Sequence, residues 1–150
     1  VECWHYLANL RAGTEPELPA PLHEPSLLSL LGQQVTLEEF LEQGVSAQYA
    51  AYEQMEPAMK LVAETLQQAM EQATGKETGP VFSYEKPERQ ALTAALTCLA
   101  RFMLGEQAMA QKAMATAREH FGATIATKAD GIVEFHISKA ELTRLNSATQ

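Results

Sequence analysis

Residues 45–74 run VSAQYAAYEQMEPAMKLVAETLQQAMEQAT. In this stretch Tyr52, Met55, Met59, Val62, Leu66, Ala69 and Ala73 are separated alternately by three and four residues. That spacing returns apolar side chains to one side of an α-helix and marks a heptad seam. It predicts the main helix of the chain, from Val45 or Ser46 to Thr74, with Gly44 closing the element before it. Pro57 lies inside the seam. An interior proline lacks a backbone donor and crowds the preceding turn, at a cost of about 3 kcal/mol. The seam keeps its phase across Pro57, which predicts a kinked helix. The alternative is two helices, the second opening with Pro57 at its favoured first position.

Upstream, Thr36 and Glu39 form a capping box for a short helix through Leu37, Phe40 and Leu41 to Gln43. Ser26 is placed to cap a helical turn that ends at Leu31, with Gly32 as its stop. Residues 14–25 hold Pro16, Pro19, Pro21 and Pro25 and read as an extended connector that straps the helices. Before it, residues 1–12 read as a helix with Trp4, Leu7, Ala8 and Arg11 on one face and Gly13 as terminator.

Downstream, residues 75–85 form a turn-rich link. Pro87 opens a helix whose stripe is Leu92, Ala95, Leu96, Leu99, Phe102 and Met103. Gly105 marks its end or a weak point. Residues 106–121 continue as helix and Gly122 closes it. The pattern then changes. Asp130-Gly131 sits between two β-prone runs and predicts a β-hairpin over 123–137, with Val133, Phe135 and Ile137 on one face. Ser138 and Glu141 read as a capping box for a short last helix to Asn146. The expected fold is mainly α: one domain over 1–150, a helical bundle with a C-terminal β-hairpin followed by a short helix.

The composition, 46% hydrophobic and 20% charged in 150 residues, is that of a folding domain and excludes disorder. Of 19 acidic residues only Asp130 is not Glu, which favours helix interiors over turns. Residues 1–105 hold 14 Glu against 6 Lys or Arg, whereas 106–150 are balanced, so the net charge of −8 belongs to the first part. Such a surface repels nucleic acid and anionic membranes and suits a basic partner or plain solubility. No apolar run approaches the roughly 20 residues that cross a bilayer, and residues 1–11 are too polar for a signal-peptide core. Two cysteines, Cys3 and Cys98, fit a reducing cytoplasm and leave open a single disulfide between them.

No phosphate loop, nucleotide fingerprint, metalloprotease helix or nucleophile elbow is present. His5, His23, His120 and His136 are scattered, and Cys3 and His5 would point to different sides of a helix, so no metal site is expected. Cys98 has no base within a turn and reads as a small core residue. No cofactor is expected.

These features predict a non-catalytic protein-interaction module, an adaptor, chaperone, immunity protein or regulator of a bacterial cytoplasm. It would bind a protein partner, or itself, through helices. Tyr52, Met55, Met59, Val62 and Leu66 are the candidate interaction surface; the six methionines, all on expected helices, suit either a core or an adaptable groove. Two alternatives remain. A ligand-binding or catalytic pocket inside the bundle would be lined by Trp4, Tyr49, Tyr52 and Tyr84. A winged-helix regulator would carry Lys112, Arg118 and Lys128 on its last helix and wing, against an acidic balance that argues away from nucleic acid.

Overall fold

Every element of the computed structural model is helical; it describes residues 2–16 and 26–149, with backbone alone at Glu2. In chain order these are α1 (Glu2–Arg11), α2 (Leu27–Leu31), α3 (Leu37–Thr74), α4 (Arg89–Ala110), α5 (Met114–Ala126) and α6 (Val133–Ser147). The proline-rich connector expected over 14–25 falls outside the described residues from 17 onward.

Helix α4 is the hub, touching α1, α2, α3, α5 and α6. Its stripe buries Phe102 and Met103 against Leu7, Leu31, Phe121 and Leu145 from four other helices. Full burial of each such side chain is worth about 1.5–3 kcal/mol. The rings of Phe102 and Phe121 lie 6.3 Å apart, and Trp4 meets Phe102 edge-on at 6.0 Å. Smaller clusters unite Leu30, Phe40 and Ala100, and Val45, Leu92 and Leu96. Gln107 is buried but satisfied: its amide donates to the Leu31 carbonyl at 2.7 Å and to the Tyr6 hydroxyl at 3.2 Å. It thereby ties α1 and the end of α2 to α4.

Local signals place several boundaries. Ser26 and Ser29 form a reciprocal cap on α2, and Thr36 and Glu39 do the same on α3. Gly13 adopts φ +75° after α1 and Gly75 adopts φ +65° after α3, where a side chain would be strained. Two expected boundaries are absent here. The helix begun at Leu37 does not end at Gly44; it runs on through Gly44 and Pro57 as one element of 38 residues. Gly105 is not a break either. A Cβ there would lie 2.6 Å from Phe121 Cε1, so the glycine lets α4 and the α5 ring approach. The turn between α4 and α5 falls instead at Lys112, with φ +60°.

The expected hairpin over 123–137 does not form; the described residues contain no strand. Helix α5 continues past Gly122 to Ala126, and Thr124 is fully buried with its hydroxyl donating to the His120 carbonyl at 3.0 Å. Lys128, at φ +56°, ends it. The Asp130-Gly131 turn then leads into α6, and His136 Nε2 donates to the Asp130 carbonyl at 2.6 Å. The reason is tertiary. As a helix, this segment sets Phe135, Ser138, Leu142 and Leu145 at spacings of three and four, and none of the four is exposed. The strand alternation would have turned Val133 inward, yet Val133 is 68% exposed. Packing of α6 on α5 and α4 overrides a β propensity worth about 1 kcal/mol. The expected cap at Ser138 therefore lies within α6, where Ser138 is buried and its hydroxyl has no hydrogen-bond partner among the described residues.

Candidate functional site

Helix α3 divides into a rooted half and a projecting half. Phe40 and Val45 are its buried residues, and Tyr49 and Tyr52 pack beside Leu92 and Leu96. Beyond Tyr52 no α3 residue is buried. From there to Thr74 the helix is an arm, roughly 33 Å long at 1.5 Å per residue.

One side of the arm is covered by the return segment 76–88. The chain must come back from Thr74 to the body in about 13 residues, which only an extended strap can span. Its anchors follow one side of α3. The Gln67 amide donates to the Thr78 carbonyl at 2.9 Å, and the Thr78 backbone N–H donates to the Glu71 carboxylate at 3.3 Å. Tyr84 donates its hydroxyl to the Tyr52 carbonyl at 3.3 Å. Lys86 donates to Glu53 at 2.8 Å and sits 4.0 Å above the Tyr49 ring. The hydrogen bond to Glu53 holds the Lys86 ammonium above its ordinary pKa.

The other side is open and apolar. Met55, Leu61, Val62, Leu66 and Met70 are each 44–64% exposed and make up half of the exposed large hydrophobic residues among those described. Helical geometry turns about 100° per residue. On that basis every charged residue between Ala47 and Thr74, namely Glu53, Glu56, Lys60, Glu64 and Glu71, lies about 120° or more from Val62. The half of the helix centred on Val62 carries Ala, Met, Leu, Val, Thr and Gln, with Tyr52 at its edge, and no charged residue. In a chain of net charge −8 this is an unusual uncharged face. At its root Gln48, Ala51, Tyr52 and Met55 line a shallow hollow of about 360 Å³.

The five seam residues read from the sequence are thus split. Tyr52 belongs to the strap and root, Met59 is half-buried at the edge, and Met55, Val62 and Leu66 are on the open face. Leu61 and Met70, missed by the heptad spacing, join the open face. The distribution of charge around the helix is the signal that locates them.

A second feature is a cleft of about 520 Å³ between α1, α4 and α6. Trp4 and Phe102 form its apolar wall. Glu106, with a side chain 8% exposed, pairs there with Arg11, and Lys112 and Arg144 stand at the rim. Burial pushes the Glu106 carboxyl above its ordinary pKa, against the pull of Arg11. Of the four aromatics expected in one pocket, only Trp4 lines this cleft; Tyr49, Tyr52 and Tyr84 belong to the strap.

No disulfide joins Cys3 to Cys98, and Cys98 is fully buried, which raises its thiol pKa. Among the described residues no group of three or more His, Cys, Asp or Glu is placed to hold a metal, and no helix is long and apolar enough to cross a membrane. The hairpin that would serve as a wing is absent, and Arg118 is spent on the Leu145 carbonyl at 2.9 Å.

No protein-family model, no curated protein and no solved structure matches this chain.

Proposed function

We propose that the chain is a non-catalytic protein-interaction module that docks a helical partner on the open face of α3. The observation that carries this reading is the uncharged stripe of Met55, Val62, Leu66 and Met70, held out from the body on a strapped arm. Exposed apolar stripes of this kind mark interaction sites. An amphipathic helix would meet it with anchors at spacings of three and four. The methionines adapt the face to the partner's shape. An adaptor, a chaperone, an immunity protein and a regulator would each use such a face.

Site-specific photocrosslinking in the producing cell tests the reading. A benzophenone amino acid replacing Val62 should give a discrete protein adduct, and the same group at Glu64, also exposed but on the far side, should not. No adduct at Val62, or equal adducts at both positions, contradicts it.

The cleft beside Trp4 supports a second reading, a small-ligand site. Its rim sets Lys112 beside the Arg11–Glu106 and Arg144–Glu141 ion pairs, and its apolar wall would take an aromatic or aliphatic body carrying a carboxylate toward Lys112. A panel of aromatic carboxylates should then raise the melting temperature of the wild type and leave that of Trp4→Ala unmoved. No shift with any member contradicts it.

A further inference from the structure

We propose that the occupant of the open face is a second copy of this chain, with two α3 arms packed antiparallel about a two-fold axis at Val62. The inference rests on the reading of that face as a docking surface and goes beyond it by naming the partner.

Charge selects among occupants. A basic helix would be drawn by acids flanking the stripe, but Glu53, Glu56, Glu64 and Glu71 all lie on the far half of α3, and Glu53 and Glu71 are already engaged by the strap. An acidic helix would find no cation on the half of α3 centred on Val62, because Lys60 lies about 160° away. A second arm brings an uncharged face to an uncharged face, so two acidic copies meet without opposed carboxylates.

Side-chain size selects the direction. With the axis at Val62, antiparallel pairing sets Met55 against Ala69 and Leu66 against Ala58, with Val62 on itself and Ala51 on Ala73. Met55 and Leu66 thus each face an alanine on either side of the Val62 pair, which lets two helices interlock at close distance. Parallel pairing sets Met55 on Met55, Leu66 on Leu66 and Ala58 on Ala58, alternating bulges with gaps. The antiparallel pair is isologous, with every contact made twice, and closes at two copies.

Length agrees. In this register Thr74 of one arm lies opposite Ala50 of the other, beside the last residues of α3 that pack on the body. Met70 and Ala73 then arrive at the shallow hollow lined by Gln48, Ala51, Tyr52 and Met55. The two bodies sit at opposite ends of the paired arms.

Sedimentation equilibrium of the purified full chain at 1–100 µM is the test, with the range set as a roughly hundredfold span around the micromolar affinities of modest interfaces. The wild type should reach twice the 16.4 kDa chain mass. Val62→Glu should stay monomeric with an unchanged circular dichroism spectrum. In a Cys3→Ser background, Met55→Cys mixed with Ala69→Cys should crosslink under mild oxidation, and Met55→Cys alone should not. A wild type that is monomeric throughout, while Val62 still crosslinks to a different protein in cells, overturns the second copy and leaves the docking face standing. A dimer that survives Val62→Glu overturns both. Crosslinking of Met55→Cys to itself overturns the antiparallel arrangement.

Discussion

The body around α4 and the arm of α3 are built from similar residues with opposite outcomes. Helices α4 and α5 bury Phe102, Met103, Ala117 and Phe121 almost completely, while the arm leaves Met55, Leu61, Val62 and Leu66 about half in solvent. Both are rich in Ala, Gln, Glu and Met, and both have apolar residues at helical spacing. What separates them is the number of neighbours. Helix α4 has a helix on nearly every side, whereas the arm has one polar strap on one side. An apolar stripe therefore states only that something covers it, and the body shows covering from within. Among the described residues nothing covers the arm's stripe, the face we propose meets another chain.

The contrast predicts a large difference in mutational cost. Phe121→Ala should lower stability by about 3–5 kcal/mol, because the ring touches Phe102 and fills the space over Gly105. The same truncation on the arm, Leu66→Ala, should cost under about 1 kcal/mol in the dissociated monomer, where the residue is 44% exposed. Chemical denaturation of both, at low protein concentration, checks the pair. Equal losses would erase the distinction between body and arm.

A smaller effect comes from the close approach inside the body. Gly105→Ala should destabilise by about 1–3 kcal/mol, since its Cβ would collide with the fully buried Phe121 ring. Gly79→Ala, which meets nothing within 4 Å at the far end of the strap, should be close to neutral. Thermal melts of the two variants sharpen the comparison at the level of a single methyl group.

Glu106 provides a test by pH. Its folded pKa lies above the ordinary 4.5, so the ionised form is penalised by folding and the penalty is fully present above the folded pKa. As pH falls through the folded pKa the penalty is relieved, and it is gone below the unfolded value. Glu106→Gln should therefore stabilise the protein at pH 7, and the gain should shrink toward pH 4. Melting temperatures of wild type and variant across that range check the sign. A gain that grows on acidification would mean that the Arg11 pair outweighs burial.

How much of this was legible in the sequence differs between the two regions. The capping boxes at Ser26 and Thr36 and the terminator Gly13 could be read directly, because their chemistry is local. The seam could also be read as helical, including its passage through Pro57. Its division into a strapped side and an open side could not. The strap holds α3 through Thr78, Tyr84 and Lys86, polar contacts 11 to 33 residues away that leave no periodic trace. The C-terminal hairpin failed for the related reason that Asp130-Gly131 and Ile132–Ile137 carry a strong local β signal. The inward face of α6 includes Ser138, which breaks the apolar pattern of Phe135, Leu142 and Leu145. Gly44 reads as a stop and Gly105 as a stop or a weak point because a glycine in sequence does not show its neighbour: at Gly105 the Phe121 ring takes the space of a Cβ, whereas at Gly44 a Cβ would meet Leu96 at an ordinary 3.5 Å.

The smallest predicted effect concerns the turns of the body. Lys128 holds φ +56° at the end of α5 with a side chain that disfavours that conformation. Lys128→Gly should stabilise by up to about 1 kcal/mol. A loss on that substitution would place the end of α5 elsewhere.

The central claim is that the body carries the fold and the arm carries the contact. Hydrogen exchange of Val62→Glu against wild type, followed residue by residue at concentrations where the wild type is associated, tests it most directly. The expected result is faster exchange across Met55–Ala73 with protection of α4, α5 and α6 unchanged. Loss of protection in α4–α6 together with the arm would make Val62 part of the core and contradict the claim.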